Sequence, residues 1–166
     1  MAETFRGEFT QKVDGKARVS IPAPFRRVLE AGDVGQTAGP RVVIVYGGDR
    51  RYLECYTIAE MARIERSIMR MPIGSPQRKY LERHMITLSQ TVEIDSDGRI
   101  VLQAKSREKI GMGTLKDGTD AVFAGTLNKF QIWHRDDYEA DVAGQDGDVL
   151  IAGQDMLSLL PADPED

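Results

Sequence analysis

Apolar and polar residues alternate over two stretches near the start of the chain, which predicts strands over Glu8 to Val13 and over Val19 to Ile21. A helix is predicted from Pro22 to about Leu29, because proline favours the first helical turn and Gly32 can end the helix. The front of the chain therefore has the order strand, strand, helix.

A hairpin and two further helices are predicted next. The apolar runs Val42–Tyr46 and Leu53–Tyr56 flank the turn sequence Gly47–Asp49, which is typical of a β-hairpin. Thr57–Glu60 has the form of a capping box, so a helix is expected to begin there. Ser75 followed by proline predicts the start of a shorter helix.

This order of elements occurs twice. In each copy an alternating strand ends in Asp, three residues follow, and then an Arg begins a short apolar strand. The corresponding segments are Thr10–Pro22 with Thr91–Leu102, Val42–Tyr46 with Ala121–Ala124, and Leu53–Tyr56 with Phe130–Trp133. A module of about 60 residues buries little apolar surface alone, so we expect the copies to share one core in a pseudo-two-fold arrangement.

The repeat predicts a mixed α+β fold, rich in strands, with two tandem modules and short helices. Module 1 is predicted over residues 5–70, a linker helix over 71–85, module 2 over 86–142 and an acidic tail over 143–166. The tail combines Gly and Asp with two apolar runs, so its sequence allows either disorder or docking on another surface.

The two Asp-x-x-x-Arg segments, Asp14–Arg18 and Asp95–Arg99, are the strongest candidates for a binding function. An Asp at a strand end can accept hydrogen bonds from the following turn, where Gly15 and Gly98 could supply a positive φ. Each Arg could pair with its own Asp, or it could point outward. Two such turns related by the repeat would present two guanidinium groups on one face, suited to guanine edges or phosphates.

Basic residues accompany both turns. Arg6, Lys12, Lys16, Arg26 and Arg27 are expected around the first, and Lys105, Arg107 and Lys109 around the second. Groups of this kind contact phosphates and position the residues that read bases. A single turn would favour a local salt bridge, but its recurrence with basic neighbours favours DNA binding.

The charge distribution supports a basic face despite the formal net charge of −4. Residues 1–83 carry 15 Lys and Arg against 10 Asp and Glu, whereas residues 84–166 carry 7 against 16. From Asp136 onward there are ten acidic residues and no Lys or Arg. A DNA-binding front with a solubilising or self-shielding tail would have this distribution.

The sequence gives little indication that the protein is an enzyme, and no catalytic residue, cofactor or metal is expected. Cys55, in an apolar strand, is expected to be a buried inert thiol, and His134 is expected to be structural. The alternating acids at 93, 95 and 97 fit a solvated face better than a cation site. One cysteine and no long apolar run predict a cytoplasmic protein without a membrane span.

Three segments resemble the MraZ family: Phe5–Phe9, Asp14–Pro22 and Asp95–Ile100. The resemblance covers about residues 5–142 and implies two SpoVT-AbrB-type modules with a swapped-hairpin, double-psi-like fold. Its conserved arginines would fall on Arg18 and Arg99. Two residues depart from the family pattern: Ala17 stands where glycine is usual, and Gln103 where proline often follows the strand.

The resemblance implies a transcriptional regulator that binds double-stranded DNA upstream of the division and cell-wall gene cluster. Family members form ring-like homo-oligomers, which could sum modest contacts over direct repeats in the DNA, and they associate with the nucleoid. We therefore predict regulation of the chain's own upstream region. Two alternatives stay open: an oligomeric scaffold that binds protein, and an antitoxin-like regulator.

Overall fold

The computed structural model describes residues 3–35, 39–115, 118–145 and 149–164. The strands are β1 (Glu8–Val13), β2 (Arg18–Ser20), β3 (Arg41–Val45), β4 (Leu53–Tyr56), β5 (Ser89–Glu93), β6 (Arg99–Val101), β7 (Thr119–Gly125) and β8 (Lys129–His134). The α-helices are α1 (Ala23–Ala31), α2 (Ile58–Met69), α3 (Pro76–Leu81), α4 (Ala104–Lys109) and α5 (Arg135–Gln145). A π-helical turn (Glu82–Thr87) follows α3, and a 3-10 turn (Met156–Leu159) lies in the tail. The predicted mixed α+β, strand-rich fold is confirmed.

Six strands form one antiparallel sheet in the order β1-β7-β8-β4-β3-β5. When every strand is exchanged for its equivalent in the other copy, the same order results, read from the opposite edge of the sheet. β1 of the first copy pairs with β7 of the second, with Phe9 opposite Phe123, and β5 pairs with β3 in the same manner. The copies therefore exchange edge strands. This exchange is expected, because a single repeat cannot bury its apolar surface alone.

The core is shared between the copies, as the sequence predicts. One buried cluster draws side chains from both copies, and Phe25 of α1 lies within it at 0% exposure. The Phe25 ring centroid lies 5.4 Å from those of Phe5 and Phe9 and 4.9 Å from that of Phe130 in β8. Edge-on and tilted ring contacts of this kind add to the free energy of apolar burial.

Helix α2 begins where the sequence predicts, but the capping box forms only in part. The Thr57 hydroxyl accepts the backbone N–H of Glu60 at 3.0 Å. The Glu60 carboxylate instead accepts hydrogen bonds from the side chains of Arg63 and Asn128. Ser75 caps α3 in the same manner as Thr57 caps α2, with Pro76 in the first turn.

Candidate nucleic-acid interface

A two-stranded antiparallel ribbon of β2 and β6 joins the copies outside the large sheet. Val19 lies opposite Ile100, and both side chains are buried at 1% exposure. Because successive side chains of a strand point to opposite faces, the flanking residues face outward. These outward residues are Arg18, Ser20, Arg99 and Val101.

Both predicted reading arginines lie on this outer face. Arg18 is opposite Val101, and Arg99 is opposite Ser20, so the arginines are diagonal neighbours across the ribbon. Diagonal neighbours lie roughly 7–8 Å apart. The side chains of Arg18 and Arg99 are 37% and 33% exposed, so both are partly accessible, and their role in binding stays a prediction.

The two turns have the same hydrogen-bond pattern. In each, the Asp Oδ1 atom accepts the backbone N–H groups of the residues two and four positions later, all at 2.9 Å. The backbone N–H of each Asp donates to the carbonyl of its Arg, at 3.0 Å for Asp14 and 2.9 Å for Asp95. The backbone N–H of the Arg is the largest cause that holds the pKa of each Asp below its ordinary value. Both carboxylates are therefore ionised at neutral pH.

The residue before each Arg adopts a left-handed conformation, with φ of 65° at Ala17 and 77° at Gly98. The prediction that Gly15 supplies the positive φ of the first turn was wrong, since Ala17 does so despite its Cβ. The Asp hydrogen bonds set which position of the turn is left-handed, whatever residue stands there. With Ala17 in place of the glycine that is usual in the family, the first turn therefore has the same hydrogen-bond pattern and the same left-handed position as the second turn, which has Gly98.

Substitutions at these two left-handed positions should have unequal effects on stability. We expect Gly98→Ala to lower the free energy of unfolding by about 1–2 kcal/mol, since a Cβ there is strained and also meets the Arg26 guanidinium. Ala17→Gly should change it by less than about 1 kcal/mol, because relieved strain is offset by unfolded-state entropy and a lost buried methyl. Urea unfolding of both variants measures the difference. Equal destabilisation would contradict the shared turn geometry.

Each arginine pairs with the carboxylate of its own turn, but the two pairings differ. Arg18 Nε donates to Asp14 Oδ2 at 2.7 Å, and within the described residues the Nη atoms of Arg18 have no hydrogen-bond partner. Arg99 Nε lies 3.5 Å from Asp95 Oδ2, while its Nη2 donates to Asp97 Oδ2 at 3.2 Å. The local salt bridge is therefore present in both turns, and in the first it leaves the outer end of the guanidinium available.

Most of the predicted basic neighbours are exposed, namely Arg6, Lys12, Lys16, Arg27 and Lys105. Lys12 Nζ lies 3.6 Å from Asp120 Oδ1, a long contact between two adjacent strands. Surface ion pairs of this kind contribute little to stability. Lys12 and the other exposed side chains can therefore reach an anionic ligand at little cost.

Three basic residues have other surroundings than the sequence predicts. Arg26, expected at the first turn, lies against Gly98 in the second turn. Arg107 Nη1 donates to the carbonyl of Leu102 at 2.7 Å, and Lys109 Nζ donates to the carbonyl of Gly48 at 2.6 Å. Arg107 and Lys109 therefore help to hold the backbone near α4.

Sequence reasoning did not identify Ser20 and Val101 as members of the outer face. The signal was present, because the alternation that buries Val19 and Ile100 turns both neighbours of each outward. In strands of three residues that alternation is short and easily overlooked.

The other candidate residues have structural surroundings. Cys55 is buried, as predicted, and burial raises the pKa of its thiol well above the ordinary value, which disfavours the nucleophilic thiolate. His134 Nδ1 accepts the backbone N–H of Asp136 at 3.1 Å, a structural contact. In the part of the chain that the structure describes, no three His, Cys, Asp or Glu residues are grouped to hold a metal ion. None of the described helices has the length and apolar character to cross a membrane.

Comparison with known proteins gives consistent matches. Residues 85–147 match the family described as "MraZ protein, putative antitoxin-like". A protein named Transcriptional regulator MraZ from Cereibacter sphaeroides (strain ATCC 17029 / ATH 2.4.9) is 62% identical over 163 residues, covering 96% of this chain and 97% of the relative. The protein of that name from Ruegeria pomeroyi is 45% identical, covering 98% of this chain and 92% of the relative. The one from Idiomarina loihiensis is 30% identical, covering 93% and 94%. These similarities extend over nearly the whole of both chains in each comparison, and this chain belongs to the MraZ family.

Proposed function

We propose that this protein is a sequence-specific DNA-binding transcriptional regulator and not an enzyme. The observation that carries the proposal is the placement of Arg18 and Arg99 on one partly exposed face of the β2–β6 ribbon. The major groove of B-DNA admits a two-stranded ribbon of this kind. The names of the relatives support regulation of transcription and indicate no catalytic activity.

In this proposal, each side chain of the ribbon region has a distinct task. Arg18 and Arg99 contact guanine edges or phosphates, and Asp14 and Asp95 hold the turns that aim them. The remaining basic residues contact phosphates and position the ribbon. They are Arg6, Lys12, Lys16, Arg26, Arg27 and Lys105, whereas Arg107 holds the carbonyl of Leu102.

Family membership supports a wider proposal about target and assembly. The protein acts upstream of the division and cell-wall gene cluster, including its own upstream region, as a cytoplasmic regulator associated with the nucleoid. Ring-like homo-oligomers sum the contacts of several subunits over direct repeats. Affinity for duplexes with one, two and three repeats of a selected site should rise with repeat number, and equal affinity for all three would contradict this assembly.

An antitoxin-like regulator or scaffold with a protein partner is the second candidate. The description of the matching family favours it, as does the net charge of −4. A salt titration of binding to random duplex DNA separates the two. A DNA-binding protein loses affinity steeply as salt rises, because phosphate contacts release counterions. Absence of any salt-dependent binding to duplex would favour the protein partner.

Single substitutions in the first turn should separate base reading from phosphate contact. Arg18→Ala is expected to reduce discrimination between a selected and a random duplex by about 1–3 kcal/mol. Lys16→Ala should weaken binding to both duplexes equally and reduce the salt slope by about 1. Binding isotherms of both variants at several salt concentrations measure these effects. Equal losses from both substitutions on all sequences would contradict base reading by Arg18.

A further inference from the structure

The two ends of the β2–β6 ribbon are chemically unequal, although the repeat makes them topologically equivalent. Position 18 of the first copy corresponds to position 99 of the second, and both are arginine. Position 20 corresponds to position 101, but Ser20 is polar and Val101 is apolar. Because the strands are antiparallel, Arg18 and Val101 lie at one end of the ribbon, and Ser20 and Arg99 lie at the other. The outer face therefore has one end with an apolar side chain and one without.

The charged residues beside the ribbon also distinguish its two ends. Lys12 and Lys16 accompany the first turn, whereas the equivalent positions in the second turn are Glu93 and Asp97. All four side chains are exposed, and Asp97 also holds the guanidinium of Arg99. Arg26 lies beside the second turn, but the acidic residues there still outnumber the basic ones, so a polyanion is attracted more strongly to the first turn than to the second. The end that carries Val101 is therefore the end that a DNA backbone approaches.

Val101 is well placed for an apolar contact with a ligand. It is 47% exposed, whereas its chain neighbours Ile100 and Leu102 are buried at 1% and 0%. Its backbone is fixed by pairing with Arg18, and a β-branched side chain in a strand has little rotamer freedom to lose. In the major groove, the apolar group that a duplex offers is the 5-methyl group of thymine.

We propose that Val101 is a specificity-determining residue that contacts the 5-methyl group of a thymine, next to the base edge or phosphate that Arg18 engages. Lys12 and Lys16 place this end of the ribbon against the backbone. This inference rests on the proposed function, because it requires the ribbon to enter the major groove. It adds a preference for a particular base that the arginines and lysines do not supply.

Replacement of thymine by deoxyuridine, which removes only the methyl group, tests the contact. A duplex is first selected by the full-length chain from a randomised pool, and each thymine is then replaced in turn. For the unmodified protein we expect one position at which the affinity falls about fourfold, the effect of burying one methyl group. In Val101→Ser this loss should vanish, whereas Val101→Thr, which keeps one methyl group and the shape, should retain part of it.

A matched control is available in α5. Val142 is 48% exposed, close to the exposure of Val101, and lies on a helix outside the ribbon. Val142→Ser should keep the full loss on deoxyuridine replacement. The inference is overturned if replacement of no thymine lowers the affinity, or if Val101→Ser and the unmodified protein lose affinity equally at every position. The proposed function still stands in either case, because the protein has selected the duplex. A pool from which no duplex is enriched would overturn the proposed function as well.

Discussion

Replacement of both Arg18 and Arg99 by alanine is expected to reduce the preference for a selected duplex over random duplex by about 2–6 kcal/mol. Each bidentate contact between an arginine and a base supplies about 1–3 kcal/mol of discrimination. Both side chains lie on the same face of one ribbon and are partly exposed, so a single duplex can meet both. Competition binding at one fixed salt concentration measures the preference, since affinities for DNA depend steeply on salt.

A variant with the same loss of charge elsewhere provides the control. Arg70 and Arg83 are exposed and lie at the end of α2 and in the π-helical turn, outside the ribbon. Arg70→Ala with Arg83→Ala should leave the preference unchanged, although it removes the same two positive charges. If both double variants lower the preference equally, the net charge of the protein and not the ribbon governs recognition.

Local elements could be predicted because local signals specify them. Alternation over Glu8 to Val13 predicts a strand, and β1 has those bounds. Thr57 is predicted to cap a helix, and it caps α2. The repeat also predicts the shared core, since neither copy can bury its apolar face alone. These inferences need only the period of the pattern and the order of the residues.

The neighbours of each turn could not be predicted, because the two copies exchange contacts. The backbone N–H of Ile21 donates to the carbonyl of Gly98 at 2.9 Å, and that of Leu102 donates to the carbonyl of Ala17 at 2.8 Å. Each strand that leaves a turn is thus joined to the turn of the other copy. Because of this pairing, the first part of α1, which includes Arg26, lies against the second turn. Proximity in sequence therefore assigned Arg26 to the wrong turn.

The exchange of contacts also means that the copies should not unfold separately. Phe25→Ala is expected to lower the free energy of unfolding by about 3–5 kcal/mol, as truncation of a fully buried phenylalanine does. Phe25 belongs to the first copy, but its ring packs on Phe130 of the second. Loss of this ring leaves a cavity between the copies, so both should lose stability together.

The fluorescence of Trp133, the one tryptophan of the sequence, reports on the second copy. It is buried in β8, and its ring stacks on that of Tyr52 from the first copy at 4.6 Å. In urea, the Trp133 transition of Phe25→Ala should shift to lower concentration and coincide with the loss of circular dichroism, as in a two-state transition. The exposed control Val142→Ala should change the free energy of unfolding by less than about 0.5 kcal/mol. The opposite result is a Trp133 transition that does not shift, preceded by a separate loss of secondary structure. It would show that the modules fold independently, because damage to the first copy would then leave the second intact.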